Sequence, residues 1–159
     1  MINLIFACDK NFLIGDQDRI PWHYKEDLLY YKSKTNGKPV LMGDKTYFSL
    51  KKYYKDKPFP YGKVYVASLD NLELDNATLV SDIDSFLSQY EGELWVVGGA
   101  MIYKLSLKYA DRLYITHIDK EYSGNIYAPK IDFSLFDVIE KRQSLEFEEL
   151  TYTVYERRR

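Results

Sequence analysis

"ELWVVGGAMIYKLSLK", residues 93–108, joins an apolar run to a helix-like stretch through two adjacent glycines. After Glu93 the run is continuously apolar rather than alternating, as in a strand covered on both faces, and residues 100–108 read as a helix. A strand that feeds a helix is the repeating unit of an α/β sheet, so this corner sets the expected architecture. Glycine there lets the backbone approach a ligand closely, and the first-turn N–H groups of the helix favour a phosphate. Gly98 and Gly99 do not complete a G-x-G-x-x-G pattern, so a plain strand-to-helix turn is the alternative reading. A second corner, "VLMGDKTYFSL" (40–50), repeats the chemistry at Gly43. Two such corners at the carboxyl ends of neighbouring strands would flank a crevice, the usual ligand position in open α/β sheets.

Outward from the two corners, strand-like runs fall at 2–8, 39–43, 63–68, 77–80, 93–99 and 112–118, with late ones near 133–139 and 145–155. Helices fit between them at 25–35, from about Asp44, at 82–89 with an Asp or Ser start, and at 100–108. The short connection between the last two strands implies that they are antiparallel. The pattern predicts a mostly parallel sheet closed by a C-terminal hairpin. A chain of 159 residues that is 46% hydrophobic suits one globular domain over 1–159, with no linker and no repeat.

The net charge of −2 gives no electrostatic reason to expect nucleic acid or membrane, and Arg157, Arg158 and Arg159 read as a solvated tail. Nothing in "MINLIFACDKN" resembles a signal peptide, and no run approaches the roughly 20 apolar residues of a membrane span. Cys8 is the one cysteine and lies in an apolar strand, so it reads as a small core hydrophobe in a reducing compartment, the cytoplasm. His23 is expected to be exposed and His117 to pack on a strand, and two separated histidines give no metal cluster.

"PWHYKEDLLYYK" (21–32) poses the chemical question. On a helical wheel from Tyr24, the stripe of Tyr24, Leu28, Tyr31 and Thr35 also takes in Asp27, while Glu26, Leu29, Tyr30 and Ser33 point the other way. An unpaired carboxylate is among the costliest groups to bury, so Asp27 is either paired locally, with Lys34 or Tyr31, or kept for a ligand.

Four segments together resemble the dihydrofolate reductase family: "FLIGDQDRIPWHYKEDLLYYK", "KPVLMGDKTYFSL", "VVGGAMIY" and "LYITHID", with "EYSGNIYAP" continuing the likeness more weakly. The resemblance implies an eight-stranded, mainly parallel sheet with a C-terminal antiparallel strand and about four helices. It implies hydride transfer from NADPH to C6 of 7,8-dihydrofolate with a proton added at N5, which gives tetrahydrofolate for one-carbon and thymidylate metabolism. It also implies a cytoplasmic monomer, a small-molecule substrate and a target for antifolates.

The family's residues carry over by motif. Asp27 aligns with the active-site acid, with Trp22 and Thr116 beside it and Tyr103 near the nicotinamide. Ile5, Ala7, Leu28, Tyr31, Lys32, Leu50, Phe59 and Val97 would line the substrate cleft, where Ile5 and Val97 offer carbonyls. Ala7, Ile14, Gly15, Gly43, Lys45, Thr46, Ser68, Gly98, Gly99, Ala100, Met101, Ile102 and Tyr103 would contact the cofactor. The loop from Asp9 to Tyr24 would act as a lid, with Ile14 and Gly15 at its inner edge.

Five positions depart from the pattern. Asp44 and Met101 stand where many members have basic residues against the adenosine 2′-phosphate, and Leu69 where many have a hydroxyl. A carboxylate facing a phosphate at ~4 Å would be repelled by up to about 4 kcal/mol at a surface-like dielectric. NADH is therefore kept as an alternative cofactor, unless Asp44 is turned away as a helix N-cap. Gly62 takes the place of the arginine that clamps the folate glutamate, leaving Lys32, Lys57 or Lys63 to supply a point charge. Asn125 stands where an aspartate often tethers the lid. The rival readings are a same-fold reductase acting on another pterin or pyrimidine, and a nucleotide- or folate-binding protein with little turnover.

Overall fold

The computed structural model describes residues 1–17 and 19–159, so residue 18, inside the expected lid, lies outside it. In chain order the elements are β1 (Ile2–Cys8), β2 (Leu13–Gly15), α1 (Lys25–Thr35), β3 (Val40–Gly43), α2 (Asp44–Tyr53), β4 (Val64–Ala67) and β5 (Thr78–Val80). They continue with α3 (Ile83–Gln89), β6 (Leu94–Val96), α4 (Ala100–Ser106), β7 (Arg112–Ile118), β8 (Ile126–Tyr127), β9 (Phe136–Gln143) and β10 (Leu150–Arg157).

Eight strands form one sheet in the order β5-β4-β3-β6-β1-β7-β10-β9. β10 is antiparallel to both of its neighbours, and the other pairings are parallel, so one C-terminal strand runs against the rest. The apolar runs form the central strands because both faces are covered. Leu4, Leu41, Val96 and Leu113 pack with Leu87, Ile102 and Tyr103 of α3 and α4 on one face. Ile5, Val40, Met42 and Val66 pack with Tyr30 and Tyr31 of α1 and Tyr47 and Leu50 of α2 on the other.

Several boundaries differ from the sequence reading. The late strands begin further on, at Phe136 and Leu150, because residues 133–135 form a 3-10 turn in which Asp132 accepts the Ser134 N–H. β9 is an edge strand whose residues after Phe136 are exposed, which explains its weak apolar pattern. α4 stops at Ser106 and passes into a 3-10 turn over 107–109. A second sheet of β2 and β8 was not foreseen; strands of three and two residues are too short to show a period.

Candidate active site

β3 and β6 are hydrogen-bonded neighbours, so the two glycine corners sit side by side at the carboxyl edge of the sheet. The Gly43 N–H donates to the Gly98 carbonyl at 2.8 Å. Neither corner tolerates a side chain: a Cβ on Gly43 would lie 2.9 Å from Ile102 Cγ1, and Gly98 has a φ of +124°, which L side chains rarely adopt. Across the gap, Thr46 Oγ1 lies 3.7 Å from where a Gly99 Cβ would stand, so the starts of α2 and α4 face one another over a bare backbone floor. Ala100 is half-buried and Met101 exposed here. The Ile102 side chain is in the core, which leaves its backbone alone for a ligand.

The Tyr103 hydroxyl donates to the Ile5 carbonyl at 2.7 Å, joining α4 to β1 below this floor. One of the two carbonyls expected to serve a substrate is therefore already engaged, and Tyr103 is held through it. Burial pushes the Tyr103 phenol far above its ordinary range, so the hydroxyl is a fixed donor. Val97, half-buried just after β6, uses its N–H on the Leu41 carbonyl.

On the opposite face of the sheet, Asp27 lies in the first turn of α1. β7 supplies its partner: Thr116, which pairs with Ala7 in register, donates its hydroxyl to Asp27 Oδ1 at 2.7 Å. Burial holds the Asp27 carboxyl above the usual carboxylate range; the Thr116 bond pulls it back, and the nearby Glu26 charge adds to the rise. Trp22 is buried with Ile118 and Leu150, packs against Ala7 and stacks on Tyr122 with ring centroids 5.3 Å apart. Lys34 lies over the rings of Tyr30 and Tyr114, so it is not the local partner of the acid. Leu28 is 41% exposed, and Tyr31, Leu50 and Phe59 are partly buried against the core.

Of the second flank of α1, Leu29 and Ser33 are exposed, but Glu26 and Tyr30 are not turned to solvent as the wheel implied. Glu26 accepts hydrogen bonds from Tyr152 at 2.6 Å and Ser144 at 2.9 Å, and the Tyr30 ring lies 4.4 Å from that of Tyr152. α1 is wedged between the cleft and the C-terminal hairpin, so it has two interior flanks, and a single-stripe reading assigned only one.

The segment over the site is tied down at several points. Asp9 accepts the backbone N–H groups of Asn11, Leu13 and Tyr122 at 2.8–2.9 Å. β2, which carries Ile14 and Gly15, pairs with β8, and Asn125 Oδ1 accepts the Gln17 N–H at 2.8 Å. Asparagine thus makes the tether for which an aspartate was the expected residue.

At the far end of the crevice the N-cap account of Asp44 fails. Gly43 is the N-cap, Asp44 is the first helical residue, and its carboxylate accepts the Ser68 hydroxyl at 2.7 Å. Ser68 is thereby committed to an acid. Lys45 is exposed.

Sequence reasoning missed Tyr61. Its hydroxyl shares a hydrogen bond of 2.7 Å with that of Tyr31, linking α1 to the chain that follows α2. Thirty residues separate the two tyrosines, and the chain has 16 of them, so no spacing singles out the pair. His23 is exposed; the His117 ring lies 2.8 Å from the Tyr155 hydroxyl, and burial lowers its basicity. Burial also pushes the Cys8 thiol up to about 12. Among the described residues no helix is long and apolar enough to cross a membrane.

The family model described as "Dihydrofolate reductase" matches residues 1–159. The chain is 37% identical over 155 residues to the dihydrofolate reductase of Bacillus subtilis, covering 96% of this chain and 89% of the relative. It is 40% identical over 131 residues to that of Buchnera aphidicola from Acyrthosiphon pisum, with 81% and 79% covered. A solved structure of the dihydrofolate reductase of Enterococcus faecalis, complexed with NADP(H) and RAB-propyl, has the same fold. Its TM-score is 0.87 at 24% identity, with 100% of this chain and 97% of that one covered.

Proposed function

The chain belongs to the dihydrofolate reductase family, and from that premise we propose that it reduces 7,8-dihydrofolate to tetrahydrofolate with NADPH. The observation that carries the reading is Asp27, a partly buried carboxyl whose protein partner is one hydroxyl. A carboxylate has about four acceptor sites, and Thr116 uses one. A planar edge bearing two N–H donors side by side, such as the amidine-like edge of a pterin, takes two of the remaining three in bidentate fashion.

The cofactor supplies the hydride. Gly98, Gly99 and Thr46 fit a dinucleotide, because the floor between the helix starts carries no side chain that would block it. Tyr103, braced on Ile5, holds the end of that floor nearest the acid. Asp27 binds and orients the pterin and stabilises its protonated form, and water brings the proton to N5. Ile14 and Gly15, held by β8, exclude bulk water from the reacting end. The adenosine end fits less well. Asp44 and Ser68 suit a ribose hydroxyl better than a 2′-phosphate, which makes NADH a competing cofactor.

One sheet spanning residues 2–157 supports a single domain over 1–159. The buried, unpaired thiol of Cys8 supports a reducing compartment, the cytoplasm. The test is absorbance at the nicotinamide band when the protein is mixed with dihydrofolate and NADPH or NADH. Loss of absorbance is expected. If neither cofactor is consumed at high protein concentration while nucleotide still binds, the binding-protein reading replaces this one.

A further inference from the structure

We propose that the outer end of the substrate cleft is an uncharged subsite with no clamp for the folate glutamate, so that the enzyme takes reduced pterins that lack the glutamate, such as 7,8-dihydropteroate, about as well as dihydrofolate. The inference rests on the functional reading above. With the pterin edge on Asp27, the substituent runs outward between α1 and α2, past Tyr31 and Leu50 towards the 59–62 segment.

No arginine occurs between Arg19 and Arg112, a span that contains both helices and that segment, so neither wall of the cleft can offer a bidentate guanidinium. The close approach of two backbones excludes any side chain at position 62. A Cβ there would lie 2.7 Å from the Gly37 carbonyl oxygen, and Gly62 N–H donates to Lys38 O at 2.9 Å. The group that does cross between the walls is neutral: the Tyr31–Tyr61 hydroxyl pair, whose phenols burial keeps protonated.

The lysines of these walls are largely engaged elsewhere. Lys51 pairs with Asp75 at 2.6 Å, Lys38 with Glu93, Lys34 lies over Tyr30 and Tyr114, and Lys63 over Tyr65. Lys32 is only half-buried and Lys57 is exposed, and a solvated point charge of that kind is worth no more than about fivefold.

The experiment measures kcat/KM for 7,8-dihydrofolate and 7,8-dihydropteroate at saturating NADPH, at low and high ionic strength. The expected ratio is about fivefold or less and shrinks further in salt. A preference for dihydrofolate above tenfold, which is 1.4 kcal/mol, overturns the inference, because it requires a clamp on the glutamate. Oxidation of NADPH with either substrate upholds the functional reading whichever way the ratio falls. Failure with both removes that reading, and this inference with it. Tyr61→Phe, which opens the hydroxyl pair, is expected to raise KM for both substrates together; a selective loss with dihydrofolate also overturns the proposal.

Discussion

Gly62→Ala tests the packing that keeps a charge out of the cleft. The new methyl would stand 2.7 Å from Gly37 O, 3.2 Å from Gly37 C and 3.4 Å from Lys38 C. All three are backbone atoms, so no side chain can swing aside. The facing strands of chain are pinned by Gly62 N–H to Lys38 O, Gly37 N–H to Pro60 O and Val40 N–H to Lys63 O, each 2.9 Å. Relief requires a backbone shift of several tenths of an ångström, and overpacking of this kind costs about 1–3 kcal/mol. Replacing glycine also stiffens the unfolded chain, which returns roughly 0.4–1 kcal/mol. Taking the middle of each range, the net loss is about 1.3 kcal/mol. At about 2–4 °C per kcal/mol for a chain of this size, Tm falls by roughly 3–5 °C. Thermal unfolding followed by circular dichroism measures it. A Tm equal to or above that of the parent refutes the close contact, and with it the explanation for why no arginine can occupy the position.

Asp27→Asn is expected to lower kcat/KM at pH 7 by at least about 100-fold, with partial recovery in acid, where the substrate arrives protonated; full activity at pH 7 contradicts the role of the acid. The same variant is expected to unfold at a higher temperature than the parent at neutral pH. A folded pKa raised above 3.8 means that the native state holds more protons in the window between the two values, so stability falls as pH rises through it. Below pH 3.8 the two melting curves should converge, and a destabilised variant at pH 7 would refute the desolvation. Thr116→Val removes the bond that favours the ionised acid, so the acid limb of the pH–rate profile moves to higher pH; an unmoved limb shows that the hydroxyl does not act on Asp27. Asp44→Arg should raise the NADPH-to-NADH ratio of kcat/KM, and an unchanged ratio places the residue away from the cofactor.

What could be read from the sequence depended on whether a feature was local. The glycine corners were legible because an apolar run, a glycine and a helix start are contiguous, and Gly43 and Gly98 indeed hydrogen-bond side by side. Asp27 was legible because a helical wheel uses only neighbouring residues. Glu26 was misassigned by the same device, since its partners Ser144 and Tyr152 come from a hairpin more than a hundred residues away. The Asp44–Ser68 pair and the Tyr31–Tyr61 pair were illegible for that reason too: each joins residues on separate elements that sheet order alone brings together. β9 was misplaced because an edge strand with little buried surface has no apolar pattern to betray it.

Two carboxylates, Asp9 buried and Asp27 partly so, show how the chain divides stability from chemistry. Asp9 is buried, and three backbone N–H groups saturate it; its charge serves the fold, because it stitches the start of the lid to the chain at Tyr122. Asp27 is held by one hydroxyl and left with spare acceptor capacity beside the cleft. A residue kept for packing would have been completed like Asp9 or replaced by an apolar one, since an incompletely paired buried charge costs more than either. Under the proposed function, that spare capacity meets the part of the ligand whose hydrogen-bonding pattern is fixed by its ring. The other polar groups along the proposed site are already spoken for: the Tyr31 and Tyr61 hydroxyls bond to one another, and Asp44 is paired with Ser68.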